Sequence, residues 1–259
     1  MSPERRWTVD VLLSSALVQA RLMRSPVFVV LGVVQPAAFV LVTILARRSP
    51  AVDLSQAGLG AGLLSIWAAT VWQSGLILRA ETWEGTLGPI VSRPAGLAVV
   101  LLGKSIGATV RAAVFIGATV AIVSALLHHP IEVDRPLPLA AALAAVLASA
   151  TVLGMLLSSL FLVTRAANRI AEALMYPVFI LGGLLVPLRL LPHWIRPLAD
   201  AVSLRWGVDL MRAASSGVAQ PGRAWLWLGV TTAVYAVLAR VAFRRMLVRA
   251  RDVGSLELF

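Results

Sequence analysis

The sequence contains no cysteine, which removes disulfides, thiolate metal sites and thiol catalysis together. Histidine is almost as scarce, with three residues in 259, and none stands in an HExxH pattern, where two imidazoles one helical turn apart would share a metal. No serine sits in a nucleophile elbow. Acidic side chains are few, 12 against 23 Lys and Arg, leaving a net charge of +11. On a soluble domain that excess would point to nucleic acid; in a chain with only 14% charged residues it reads instead as loop arginines facing anionic lipid, with no nucleic-acid partner. Aromatics amount to 7% and do not cluster into the stacking track that a polysaccharide path would need.

What the sequence has in abundance is apolar residues, 59% of the chain, with a mean hydropathy of +0.88. Apolar runs occupy residues 27–46, 57–78, 106–127, 137–163, 173–187 and 224–243. Most approach the roughly 20 residues a helix needs to cross about 30 Å of hydrocarbon. None alternates as a barrel strand would, so the expected fold is an all-α polytopic membrane protein with six transmembrane helices. Placing both termini in the cytoplasm puts fifteen of the Lys and Arg residues inside and eight outside, the bias that orients membrane proteins. Arg47 and Arg48 run against it locally.

The first 26 residues resemble a signal peptide in having a basic start and an apolar middle, but Asp10 and Gln19 interrupt the apolar part. On a helical wheel Val9, Leu12, Leu13, Ala16, Leu17, Ala20 and Met23 share one face, which predicts a helix over residues 1–26 lying on the cytoplasmic leaflet. Residues 95–127 are too long and too charged for one plain span, and their first half is expected to lie partly in the interface. "AVVLLGKS" at 98–105 ends like a phosphate-binding loop, yet Ala98 replaces its first glycine and four aliphatics fill it. Lys104 and Arg111 are expected to snorkel to headgroups, and Glu172 to pair with Arg169 or Arg165. Prolines and arginines break residues 188–223 into short external half-helices, re-entrant before span six and needing protein to shield their ends. A basic cytoplasmic tail fills residues 244–259. No soluble domain interrupts this single membrane domain.

The segment 80–95 is different in character. Taken as one helix, "ETWEGTLGPIVSRP" puts Glu81, Glu84, Gly85 and Gly88 on a water-facing side and Trp83, Leu87, Ile90 and Val91 on the membrane side. Exposed carboxylates beside small residues offer a soluble partner charge and close approach.

Here the sequence resembles the permeases of type-2 ATP-binding-cassette exporters, including the daunorubicin-resistance-like drug exporters. The "RSP" at 24–26 before a proline-bearing first span resembles that family's opening. "ETWEGTLGPIVSRP" resembles its acidic, Gly-Thr-Leu, then Pro pattern between spans two and three, and "LGGLLVPLRLLPHWIRPLADAVSLRWGVDLMR" resembles its closing pattern. The resemblance covers nearly the whole length. It implies a cytoplasmic coupling helix, here Glu81, Trp83, Glu84, Gly85, Thr86 and Leu87, that seats in a separate ATPase subunit. This chain departs from the family in having Gly88 and Pro89 where another carboxylate is common, a change expected to shorten or kink the helix.

The resemblance further implies a non-catalytic subunit of a bacterial plasma membrane. It would need no cofactor of its own, with ATP and Mg held by two ATPase copies, and would pair with a second permease copy or a homologous one. The substrate would be a small amphipathic compound, such as a drug, a natural product or a lipid-like molecule, with membrane lipids around it. Polar residues within the spans, namely Gln35, Thr43, Gln73, Ser74, Thr109 and Tyr176, are the pathway candidates, together with Thr119, Ser149 and Thr151. A self-sufficient secondary transporter or channel is the alternative, which calls for ionisable groups inside spans. An intramembrane hydrolase is the third.

Overall fold

The computed structural model describes residues 3–22, 30–38, 41, 54–91, 96–126, 134–164, 166–183 and 191–252. Among the described residues every regular element is helical. In chain order these are α1 (Pro3–Leu22), α2 (Leu54–Ala69), α3 (Ile77–Trp83), α4 (Leu87–Val91), α5 (Gly96–Leu126), α6 (Pro136–Val163), α7 (Ala167–Leu181), α8 (Arg196–Asp200), α9 (Ser203–Ser215) and α10 (Gly222–Asp252). Two π-helical stretches, Val30–Val34 and Thr70–Ser74, accompany them, the second joining α2 towards α3.

Four described helices are long and apolar enough to cross a membrane: Gly58–Trp83, Leu97–Leu126, Pro136–Leu162 and Gly222–Met246. Half of the first expected span lies outside the described residues, and the fifth corresponds to the 15-residue α7. The long run whose first half is expected partly in the interface forms one unbroken helix, α5. At 1.5 Å per residue this 31-residue helix is about 46 Å long, well beyond the hydrocarbon thickness, so one end stands clear of it.

The helices meet through small residues, as helices in lipid must when burial of apolar surface gives no advantage over the lipid itself. Gly154 on α6 has no room for a methyl, because a Cβ there would sit 2.4 Å from the Cβ of Ser74. Trp67 and Trp72 are packing residues of the central core, which also takes in Leu153, Leu157 and Phe161 of α6, Val178 and Phe179 of α7, and Leu228 of α10. A second cluster closes one end of the bundle. It joins Ile77 and Leu78 of α3, Leu87 and Ile90 of α4, Leu97, Val100 and Leu101 of α5, Leu162 of α6 and Met246 of α10, with Val11 of α1 against it.

At the opposite end α8 and α9 form the expected pair of short helices. Their backbone groups are supplied with partners from neighbouring elements, the condition for irregular chain near lipid. Tyr235 donates to the Ala201 carbonyl at 2.7 Å and accepts from the Ser203 amide at 3.3 Å. Trp206 donates to the Asp200 carbonyl at 2.9 Å and stacks on Trp227 at 5.9 Å, while Arg205 pairs with Asp200 and lies 4.2 Å over the Trp206 ring. Arg212 reaches across to the Gly183 carbonyl beyond α7 at 3.0 Å. Burial pushes the Asp209 carboxyl above the usual carboxylate range, with Arg205 and Arg212 acting in the opposite direction.

Candidate functional site

The segment expected to form one helix is two, and the sequence explains the break. Glu84 caps α3, Gly85 follows with φ +69°, and the amides of Gly85 and Thr86 donate back to the carbonyls of Thr82 (3.1 Å) and Glu81 (2.9 Å). These are the two bonds of a Schellman stop, with the glycine at the left-handed position that penalises a Cβ. Thr86 then starts α4 by accepting the Ile90 amide at 3.2 Å. Pro89, expected to kink the helix, falls in the first turn of α4, where its missing N–H has no partner to lose.

Breaking the helix changes which residues face outward. Glu81, expected on the water-facing side, is only 6% exposed. One carboxylate oxygen takes Lys104 of α5 and the other takes the Thr86 hydroxyl at 2.6 Å. Trp83, expected on the membrane side, is 68% exposed, with the Arg79 guanidinium 5.3 Å over its ring. Arg79 also donates to the Thr164 carbonyl at 3.0 Å, which fastens α3 to the end of α6. Leu87 is buried at 3% and anchors α4 in the end cluster. Trp83, Glu84, Gly85 and Thr86 together form an exposed apex on a fixed base.

Lys104 does not snorkel, because its ammonium is used by Glu81. Arg111 does not either: it donates to the Ala20 carbonyl at 2.8 Å, where the unpaired carbonyls and negative dipole end of α1 favour a cation. Between them Gly103 and Gly107 press on α1. A Cβ at Gly103 would lie 2.5 Å from the Leu12 carbonyl oxygen, and one at Gly107 would lie 2.2 Å from that of Ala16. The string that ends like a phosphate-binding loop is thus mid-helix, with glycine, lysine and serine all committed to packing. On α1 the contact runs through Leu12, Ser15 and Ala16, while Val9, Leu13 and Leu17 remain as an exposed apolar stripe. Glu172 is exposed and makes no ion pair with Arg169, and Arg165, its other expected partner, lies outside the described residues.

The pathway candidates are dispersed. Gln73 and Ser74 lie in the π-helical stretch of span two, and Thr109 on α5; all three are buried, and their polar side-chain atoms have no hydrogen-bond partner among the described residues. Thr119, Ser149 and Thr151 are buried as well, and Thr151 bonds to its own helix at Leu147. Gln35 is half-buried, and Thr43 and the side chain of Tyr176 lie outside the described residues. Two grooves among the described residues are lined by other residues. One of about 440 Å³ runs between α5, α6 and α10 past Leu101, Met155 and Phe243 to Arg240.

Lys104, Arg79 and Arg111 are the site residues that sequence reasoning missed in their actual roles. Each lies 23 or more positions from its partner, so only the GxxxG spacing of Gly103 and Gly107 marks this part of α5 as a contact surface. No curated protein matches the sequence significantly. The pattern that defines the ABC-2 type transporter membrane domain matches residues 16–215, a stretch that includes the apex, its mount on α5 and the paired short helices. The chain therefore belongs to the ABC-2 type transporter family, as an ABC transporter permease domain.

Proposed function

We propose that the chain is the permease subunit of an ABC exporter whose ATPase is a separate chain, docking on the apex formed by Trp83, Glu84, Gly85 and Thr86. The observation that carries this reading is the contrast between apex and base. Four consecutive residues are exposed, among them a large aromatic ring and a carboxylate, while Glu81 and Leu87 on either side are buried and held. An exposed Trp beside a charge fits a partner surface better than bulk water. ATP and Mg belong to that partner.

Six crossings with this end in the cytoplasm complete the proposal. Arg79 holds the end of α6, three residues before α7, at the apex end through Thr164, and Arg212 holds Gly183, just after α7, at the opposite end, which supports α7 as a crossing. Two permeases enclose the pathway, and the substrate is a small amphipathic compound taken from the cytoplasm or inner leaflet. The buried, unpartnered amide of Gln73 in a π-helical stretch supports a pathway role there, since such stretches concentrate at functional sites. A secondary transporter is less well supported. Glu81 is the one acidic residue buried below a tenth exposure among the described residues, and its charge is already matched by Lys104 at a span end.

The test is Glu84→Lys in a complex reconstituted with the cognate ATPase. Charge reversal on an exposed residue leaves the permease folded and is expected to weaken docking or uncouple ATP hydrolysis from transport. Wild-type docking, hydrolysis and transport together would remove Glu84 from the coupling role.

A further inference from the structure

We infer that Lys104 is a positioning residue that clamps the docking turn to span three, so that movement of the turn is delivered to α5 and α1 and not to span two alone. The inference rests on the docking reading above and adds the route by which the motion leaves the turn.

Three observations converge on one short stretch of α5. Glu81 sits on the last turn of α3, just before the apex, and both its oxygens are engaged, one by Lys104 and one by Thr86, which lies within the apex itself. The pair is sheltered, with side-chain exposures of 8% for Glu81 and 13% for Lys104, so water cannot readily replace either partner. Below it, Leu87 and Ile90 of α4 pack with Leu97, Val100 and Leu101 of α5, so the turn is held on both sides of the apex.

The flanking residues of the same helix hold α1. Gly103 and Gly107 bring the backbones of α5 and α1 into contact at Leu12 and Ala16, and Arg111 fastens the last turn of α1 through Ala20. Within nine positions α5 thus carries the docking turn through Lys104 and the N-terminal helix through Gly103, Gly107 and Arg111. Since backbone contacts of this closeness leave no compliant side chain between the helices, α1 has to follow α5. The exposed stripe of Val9, Leu13 and Leu17 then moves along the leaflet with it.

The absence of native cysteine permits a direct test in the complex with its ATPase. Spin labels at Leu13→Cys on α1 and Leu160→Cys on α6, both exposed, report whether α1 moves against α6 when ATP and vanadate trap the ATPase. A nucleotide-dependent distance shift is expected in the otherwise unaltered chain. Lys104→Gln should retain the bound ATPase and its basal hydrolysis but lose most of the shift. The exchange Glu81→Lys with Lys104→Glu should restore it, which a merely stabilising residue has no reason to do. A full shift in Lys104→Gln overturns the clamp, as does an exchange that restores neither folding nor motion when Lys104→Gln itself fails to fold. Failure of the docking reading looks different: the ATPase would then bind Glu84→Lys and the unaltered permease equally, whatever Lys104 does.

Discussion

Gly107→Ala is the smallest change that tests the α1–α5 contact. The added Cβ would stand 2.2 Å from the Ala16 carbonyl oxygen and 2.9 Å from its Cα, where ordinary contact begins at 3.4 Å. Backbone lies on both sides, so no side chain can swing away, and α1 has to retreat by about 1 Å from a close-packed surface. Overpacking of this kind costs about 1–3 kcal/mol. The retreat also stretches the Arg111–Ala20 bond one turn along, a charged-donor bond with a net value of about 1.5–3 kcal/mol. Against this, alanine regains up to about 1 kcal/mol of helix propensity over glycine. The net loss is about 2–4 kcal/mol, and since 1 kcal/mol shifts Tm by about 2–4 °C in a chain of this size, the melting point should fall by several degrees. Gly117→Ala on the same helix is the control, because nothing lies within 4 Å of its Cβ. Thermal melts of purified protein in detergent, with limited trypsin cleavage after α1 as a second readout, make the comparison. If Gly107→Ala melts with the unaltered chain and α1 stays protected, the two backbones are not in contact as described.

The apex and the opposite end give three further expectations. Gly85→Ala should destabilise by about 1–2 kcal/mol because its φ of +69° is left-handed, whereas Gly85→Asn should cost less; paired melts check this. Trp83→Ala should change Tm little, since the exposed ring's described contact is a cation–π interaction of about 0.5–1 kcal/mol with Arg79, but should weaken ATPase binding in a pull-down. Single cysteines replacing Leu191 (8% exposed) and Leu204 (4%) should label far more slowly with a membrane-impermeant maleimide than those replacing Trp194 (67%) and Leu198 (58%), and equal rates would refute the packed pair of short helices.

Long apolar runs made the α2–α3, α5, α6 and α10 crossings legible, because a chain in lipid must bond its own backbone and helix is the local way to do so. The short helices at 196–215 were legible from the prolines and arginines that break the run. The exposed apex falls within the segment that the sequence singles out, but its two sides are the reverse of those a continuous helix predicts. Its glycine was read as a small residue on a continuous face, although Gly85 followed by Thr86 is also a helix stop, and that choice turned Glu81 outward and Trp83 inward. Lys104 and Arg111 were misread for a different reason. A cation near a span end can snorkel or pair, and which it does depends on partners 23 and 91 positions away that periodicity does not register. The same holds for Gly103 and Gly107, whose spacing marks a contact without naming the helix that fills it.

The π-helical stretch Thr70–Ser74 has a consequence for how this part of the chain tolerates change in length. A helix advances about 1.5 Å and turns about 100° for each residue, and a π turn accommodates one residue more than an α turn. Everything after it in span two, down to Glu81, is therefore rotated relative to everything before it. Deleting one residue from this stretch would restore a regular ladder of hydrogen bonds and so favour the helix locally. Because the π turn already absorbs that extra residue, the deletion would leave Glu81 facing Lys104, whereas a deletion in a regular turn of span two would swing it by about a quarter turn. Between Ser65, which packs in full burial, and Glu81, this turn is therefore the place where the loss of one residue is absorbed, while elsewhere in the span it acts as an angle.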